Sequence, residues 1–497
     1  MHNINIKTFN KKNQIKAGWC CVLVVLMLGA GKVHCTQKME ISVEQSEEIA
    51  LSENAQLRQI EELYMRSKQG KQVAIADYLP KLEAVSEGYR TQQKQHTVQG
   101  QNNNSFLTQL SLTQALLSTD KFFDIKIAEL LVKQLEILLK SMVNDILFEV
   151  RDQYYKLVLI EKQTLIAQSH VEILSILSRR VDDRFTIGTA TSFEVNQSKV
   201  ALSNSLSAYY KKVKERKVNF NQFSVFLGFD PGRVAIGIKD KEIPLESIED
   251  IQSKLERFRQ IFTDEPVKFG FIYAPDFLEH KESLVHQLFN PQEYTYWEDI
   301  TLKKRPALLR ARNAIAIASK EGDKMKGRYA PEMEFVATLG GLPTPYQFYP
   351  SSGLGNQNFQ WGVGVNVRWL LFDSLKRERK IKMASLETSS KRYALTRQVQ
   401  EAFKDVRDEI AKIEDAVASF VTSEGSLLLA EQMVAQAEEK VEIGTLSIFD
   451  YQYAVDSFIE AENIFTQSQY DLIQSYIGLR HASGIDVEKW EGHYGEK

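Results

Sequence analysis

Along this chain the apolar positions keep two periods, and the change from one to the other marks out its parts. Val399, Phe403, Val406, Ile410, Ile413, Val417 and Phe420 alternate in steps of four and three, which lays one apolar stripe along a helix in the manner of a coiled coil. The first five find apolar counterparts 256 positions earlier, at Val143, Leu147, Val150, Tyr154 and Leu157. From Phe359 to Trp369 the period is two instead. Phe359, Trp361, Val363, Val365, Val367 and Trp369 alternate with Gln360, Gly362, Gly364, Asn366 and Arg368, the pattern of a strand with one apolar and one polar face. A weaker alternation (Phe106, Leu110, Leu112 and Leu116 against Gln109, Ser111 and Thr113) predicts a second strand. Met333, Phe335, Ala337 and Leu339 predict a third, and Lys81 to Arg90 is a fourth with little pattern. The polar or proline-rich stretches Gln92 to Ser105 and Gly341 to Gln357 are predicted to be loops between paired strands.

Proline punctuates the same map. The eleven prolines stand at Pro80, between Pro231 and Pro331, and at Pro343, Pro345 and Pro350, so two long tracts are open to uninterrupted helix. Asp120 to Phe185 runs for 66 residues with neither Gly nor Pro. As a helix that is roughly 100 Å, a length suited to a tube or stalk rather than to a compact domain.

The two tracts repeat each other. Tyr78-Leu79-Pro80 returns as Tyr329-Ala330-Pro331, at an offset of 251. Phe123-Asp124 returns as Phe372-Asp373, and Arg151-Asp152 as Arg407-Asp408. Ile187-Gly188-Thr189 returns as Ile443-Gly444-Thr445, and Leu227-Gly228 has a looser echo at Ile477-Gly478. Five matches in one order predict an internal duplication. Between the Phe-Asp and Arg-Asp markers lie 27 residues in the first half and 34 in the second, a difference of one heptad that a coiled coil absorbs without turning its seam.

The first 35 residues differ from the rest: Lys7, Lys11, Lys12 and Lys16 precede an apolar run from Ala17 to Ala30, the pattern of a secretory signal peptide. A membrane anchor is the alternative, although the run is short of the roughly 20 residues that a spanning helix needs. Cys20, Cys21 and Cys35 all fall in or at the end of this leader, which removes a disulfide framework and a cysteine metal site from the mature chain; whether Cys35 carries lipid stays open. A net charge of −3 from 62 basic and 65 acidic residues gives no basic stripe, so no nucleic-acid partner is expected. No later stretch reaches 18 consecutive apolar residues, so any membrane crossing must be made by a barrel. Four strands cannot close around an aqueous lumen, whereas three chains supplying twelve can; the membrane reading therefore requires a trimer.

On these residues the chain resembles the TolC-like outer-membrane efflux family. Val43 to Leu57 and Leu302 to Arg312 are similar to the family's opening helix in each repeat, Tyr78-Leu79-Pro80 and Tyr329-Ala330-Pro331 to its entry into the strands, and Trp369-Leu370-Leu371-Phe372-Asp373 to its exit from the barrel. The resemblance implies a mixed α/β membrane protein: a long α-helical coiled-coil barrel continuous with a trimeric 12-stranded transmembrane β-barrel, with an internal two-fold sequence repeat. The expected parts are a signal peptide (1–35), a first repeat (36–238), an insert of equatorial elaboration (239–299), a second repeat (300–484) and a tail (485–497). The strands are expected near 81–118 and 331–371, the helical hairpins over 120–227 and 373–480.

In such a family the chain is a passive exit duct for efflux or type I secretion, set in the outer membrane with its helices in the periplasm. Its partners are outer-membrane lipid, a periplasmic adaptor and, through it, an inner-membrane pump; no cofactor or metal is implied. The hairpin turns Ile187, Gly188, Thr189 and Ile443, Gly444, Thr445 match the tips where an adaptor docks. Glu194 and Asp450 match acids that three-fold symmetry would gather into rings at a periplasmic gate. Tyr453 stands at the family's second acid position and Leu446 at that of its basic latch, so closure by a salt bridge is not available here. No nucleophile elbow, zinc-protease or P-loop motif points to an enzyme. The alternative reading is a soluble periplasmic coiled-coil scaffold or adaptor without a pore, which explains the heptads but not the strand at 359–369.

Overall fold

The computed structural model describes residues 37–95, 98–231, 234–240, 242–245, 249–263, 289–341, 344–345, 359–443 and 445–487. The leader, Gly444, the middle of the insert and the tail beyond residue 487 lie outside them. One element order occurs twice. In the first half, α1 (Val43–Glu53) and α2 (Ala55–Ala76) lead into β2 (Lys81–Gln95) and β3 (Val98–Leu117), then the long α3 (Thr119–Thr186) and the shorter α4 (Ser192–Phe226). In the second, α6 (Pro291–Lys304) and α7 (Pro306–Gly327) precede β5 (Glu332–Gly341), the two-residue β6 (Thr344–Pro345) and β7 (Phe359–Arg368), then α8 (Lys376–Glu442) and α9 (Ile448–Ser483). Two short parallel strands, β1 (Gln37–Ile41) and β4 (Val234–Ile238), and α5 (Glu249–Thr263) complete the described chain.

The long helices have 68 and 67 residues, each about 100 Å. The heptad insertion expected between the halves is therefore not there. Phe123-Asp124 lies inside α3, whereas Phe372-Asp373 precedes α8, so the two markers measure from different points of the fold. The glycine echo is corrected too. Gly478 lies within α9 against Glu409, and the left-handed counterpart of Gly228 (φ +86°) is Gly484 (φ +72°).

Each long helix runs beside a composite partner made of two shorter helices stacked end to end. Asn54, at the start of α2, donates its side-chain amide to the Phe226 carbonyl at the end of α4, and Gly228 lies against Glu53. Likewise Arg305, just before α7, reaches the Ala482 carbonyl at the end of α9. Laterally the order is α2 and α4, then α3, then α7 and α9, then α8. The coiled-coil seam is the glue: Val143, Val150 and Tyr154 on α3, and Val406, Ile410 and Val417 on α8, are fully buried. The main core sits where the composites join, with β1, β4 and α5 packed on the outside of the bundle through Ile41, Ile236, Ile251 and Phe258. There the Tyr154 hydroxyl lies 2.7 Å from the Asp240 carboxylate and 3.1 Å from the Ile41 carbonyl, tying α3 to both short strands.

The strands pair antiparallel in the order β2-β3-β5-β7, with β6 on β3. Their register lines up Ala84, Leu110, Leu339 and Trp361 on one face, and beside them Leu82, Leu112, Ala337 and Val363. The opposite face carries Glu83, Ser111, Thr338 and Gly362, then Lys81, Thr113, Val336 and Gly364. One face is thus apolar across four strands and the other is mostly polar, because the side-chain period of two is carried in register from strand to strand. The expected loop over 92–105 is mostly strand: the ladder continues through Gln92↔Asn102 to Gln95↔Val98. Backbone pairing tolerates the Gln and Asn side chains there, so the hairpin extends well past the roughly ten residues that a tilted strand needs to cross a bilayer. Among the described residues no helix is long and apolar enough to cross a membrane.

Candidate functional site: the hairpin tips and the sheet–helix junction

Both tips reverse the chain by the same device. In the first, Ile187 caps α3, Gly188 takes φ +78°, and the N–H groups of Thr189 and Ala190 donate to the Arg184 carbonyl at 2.8 and 3.2 Å. In the second, Ile443 caps α8, and the N–H groups of Thr445 and Leu446 donate to the Lys440 carbonyl at 2.9 and 3.2 Å. Thr189 and Thr445 each add a hydroxyl bond of 3.1 Å to that same carbonyl. Gly444 lies outside the described residues. The six-residue reach back from turn to helix is the closure that a left-handed residue makes cheap when it is glycine. Ile187, Phe193, Ile443 and Tyr453 are each about 70% exposed (74, 72, 68 and 71%), so both tips present apolar surface.

The two acids at the tips are used differently. Glu194 closes a capping box: its carboxylate accepts from the Thr191 N–H at 2.6 Å and hydroxyl at 3.0 Å, while its own N–H donates to Thr191 Oγ1 at 3.3 Å. The backbone and hydroxyl bonds from Thr191, helped by the charge of Arg184, hold this carboxyl below its usual range. Asp450 occupies the matching position of α9, and its N–H donates to Ser447 Oγ at 3.2 Å. Its carboxylate is exposed and has no partner among the described residues. Tyr453 and Leu446 make no ion pair, and each tip is fastened from above: Lys199 to Asp182 at 3.1 Å in the first hairpin, and His170 to Asp456 at 2.9 Å between the two hairpins.

At the other end, where strands become helices, lies a second cluster that the sequence reading did not gather. Ser374 and Leu375 both take left-handed backbone angles (φ 56° and 63°), which turn the chain sharply from β7 into α8. For residues with a Cβ this costs roughly 1–2 kcal/mol each, so something must hold it. Arg377 does so: it is buried, donates from its guanidinium to the Leu371 and Arg328 carbonyls at 3.1 and 3.3 Å, and packs on the Tyr329 ring. The Asp373 carboxylate accepts its backbone N–H at 3.1 Å. On the apolar side of the sheet Trp369 donates its indole N–H to the Tyr329 carbonyl at 3.0 Å, and Tyr329 donates its hydroxyl to Glu378 at 2.6 Å. Nearby Arg328 grips Asp120 through two nitrogens. Trp369, Leu371 and Phe372 are exposed there.

Comparison with known proteins follows the same geometry. Residues 298–485 match the family model of outer membrane efflux proteins. The alkaline protease secretion protein AprF of Pseudomonas aeruginosa is 22% identical over 197 residues, which cover 39% of this chain and only 40% of that protein. The solved outer-membrane channel OprN superposes with a TM-score of 0.71 at 15% identity, over 89% of each chain. The Campylobacter jejuni outer-membrane channel CmeC does so with a TM-score of 0.71 at 14% identity, over 91% of this chain and 89% of that one. Residues 298–485 thus match the outer membrane efflux protein family, and the described fold is similar to that of the solved outer-membrane channels OprN and CmeC.

Proposed function

We propose that this chain is one subunit of a homotrimeric exit duct in the outer membrane, a passive conduit reached by an inner-membrane pump through a periplasmic adaptor. The observation that carries the reading is the sheet: apolar on one face, mostly polar on the other, and set at the head of helices about 100 Å long. In lipid the apolar face turns outward and the polar face lines water. The edges support closure by copies of the chain. Among the described residues strands β2 and β7 are unpaired on their outer sides, and beneath them the matching edges are α2 with α4 and α8. Val73, Val200 and Val218 are exposed on the first edge, and Leu386, Tyr393 and Leu429 on the second. Apolar stripes at both margins of one row suit a head-to-tail ring, and an open sheet edge has no place in lipid. Three copies would close twelve strands around a lumen.

The twofold element order, with Glu47 meeting Arg151 in one half and Glu298 meeting Arg407 in the other, supports descent by duplication. AprF's name speaks of protease secretion, and that favours type I secretion as the transport class, with drug or ion efflux as the other. A scaffold without a pore has no use for a sheet divided in this way. Planar-bilayer recording on detergent-extracted protein, with its mass in solution, tests the reading. Stepwise openings from a species of three-chain mass are expected; a well-folded preparation that never conducts would remove the duct.

A further inference from the structure

On the polar side of the sheet–helix junction is a cavity of about 400 Å³ bounded by Asp120, Arg328, Glu332, Arg368, Asp373, Lys376, Arg377 and Lys380, together with Thr119, Ala330 and Leu370. Its sidedness follows from parity. Arg368 and Glu332 are cross-strand partners on the same face as Asn366 and Glu334, and Leu370 and Ala330, just beyond the paired strands, line the same cavity. Lys376 and Lys380 stand one helical turn apart at the start of α8 and border the same cavity. Glu378, on the opposite side of the helix, goes with Tyr329 and Trp369 to the apolar side.

The charges do not cancel. Of five bases and three acids, Arg328 pairs with Asp120 and Arg377 with Asp373. Arg368, Lys376 and Lys380 remain with Glu332 alone, and among the described residues none of the three makes an ion pair. We infer that this cavity is a binding site for polyvalent anions, phosphate or clustered carboxylate, on the inner wall of the duct where the sheet meets the helical tube. The inference rests on the duct reading for its lumenal position, but the cation cluster is a property of the single chain. Three-fold symmetry would repeat it around the passage as a basic collar, opposite in sign to the acids at the tips. Cargo with acidic groups would meet it last before the sheet.

The test uses inorganic tripolyphosphate on the full-length, detergent-purified protein, by calorimetric titration at low salt and by block of bilayer current. Wild type is expected to bind and be blocked, and Arg368→Gln/Lys376→Gln/Lys380→Gln to bind roughly tenfold or more weakly, since the contacts removed are charge-assisted. Lys382→Gln, which removes a cation from α8 outside the cavity lining, should behave as wild type, whereas Lys376→Gln alone should already weaken binding. Because Arg377 and Asp373 are untouched, the turn into α8 is kept, and circular dichroism checks it. Conduction without tripolyphosphate binding, or equal binding by the triple variant, would overturn the site and leave the duct. Binding that the triple variant loses, from a protein that never conducts, would uphold the site and overturn the duct.

Discussion

Arg151 and Arg407 stand at matching places in the two halves, and each reaches a glutamate at a matching place: Glu47 at 2.6 Å and Glu298 at 2.8 Å. Their surroundings differ completely. The Arg151 side chain is 9% exposed and also bonds Asp486 at 2.6 Å, an acid that Arg480 holds from the other side. The Arg407 side chain is 64% exposed and has Glu298. The tips show the same divergence, with the Glu194 carboxylate spent on its own helix cap and the Asp450 carboxylate turned to solvent. The same residue types recur at matching places in both halves. What the residue does is set by whether other elements bury it.

The sharpest way to break this comparison is to remove both arginines in turn. Arg151→Ala takes a cation from the largely buried Glu47 and one of two cations from the buried Asp486, and should cost about 3 kcal/mol or more. Arg407→Ala should cost under about 1 kcal/mol. Thermal unfolding followed by circular dichroism measures both, and equal losses would refute the contrast. The pH dependence sharpens it. Burial by itself would raise the Asp486 carboxyl, but Arg480 and Arg151 outweigh it and hold it below its usual range. A carboxyl lowered on folding contributes stability above its unfolded pKa and loses it as pH falls through the folded one. Wild type should therefore lose thermal midpoint on acidification below the carboxylate range, and Asp486→Asn should start lower and change less.

A smaller effect separates the caps. Thr191→Ala and Ser447→Ala should each cost about 1 kcal/mol, Thr191 the more, because its hydroxyl both accepts from the Glu194 N–H and donates to the Glu194 carboxylate, whereas Ser447 only accepts. Faster amide exchange confined to the first turns of α4 and α9 is the readout. Smallest in free energy is the charge test: Asp450→Asn should move the reversal potential of a salt gradient away from cation preference, while Glu194→Gln leaves it in place. The opposite ranking would put the gate charge in the first hairpin.

Much of this architecture was legible beforehand, for reasons that particular residues make plain. The stripe from Val399 to Phe420 and the alternation from Trp361 to Val367 are local periods imposed by single elements, so one sequence suffices to read them. The turn at Gly188 announces itself through a residue that takes positive φ without strain, but glycine alone does not say where a chain turns: Gly478, the expected echo of Gly228, stays helical while Gly484 takes the left-handed φ, and Ser374 and Leu375 turn with side chains and give no such signal. That turn brings Lys376 and Lys380 beside Arg368, so the cation cluster could not be read from spacing. The Asp486 network escaped for a related reason, since Arg151 and Asp486 lie 335 residues apart and meet only when the two halves pack.

The two open margins of the chain have a consequence for inheritance. A subunit whose β7 edge is spoiled, for example by proline at Val365, can still offer its β2 edge to a normal neighbour, so it joins rings that it cannot close. If three copies close the ring as proposed, closed ducts in a cell making both forms would fall as the cube of the normal fraction, and equal amounts of the two forms would leave roughly one ring in eight intact. A lesion at one edge would behave as dominant, whereas one that merely unfolds the chain would be masked by the normal copy.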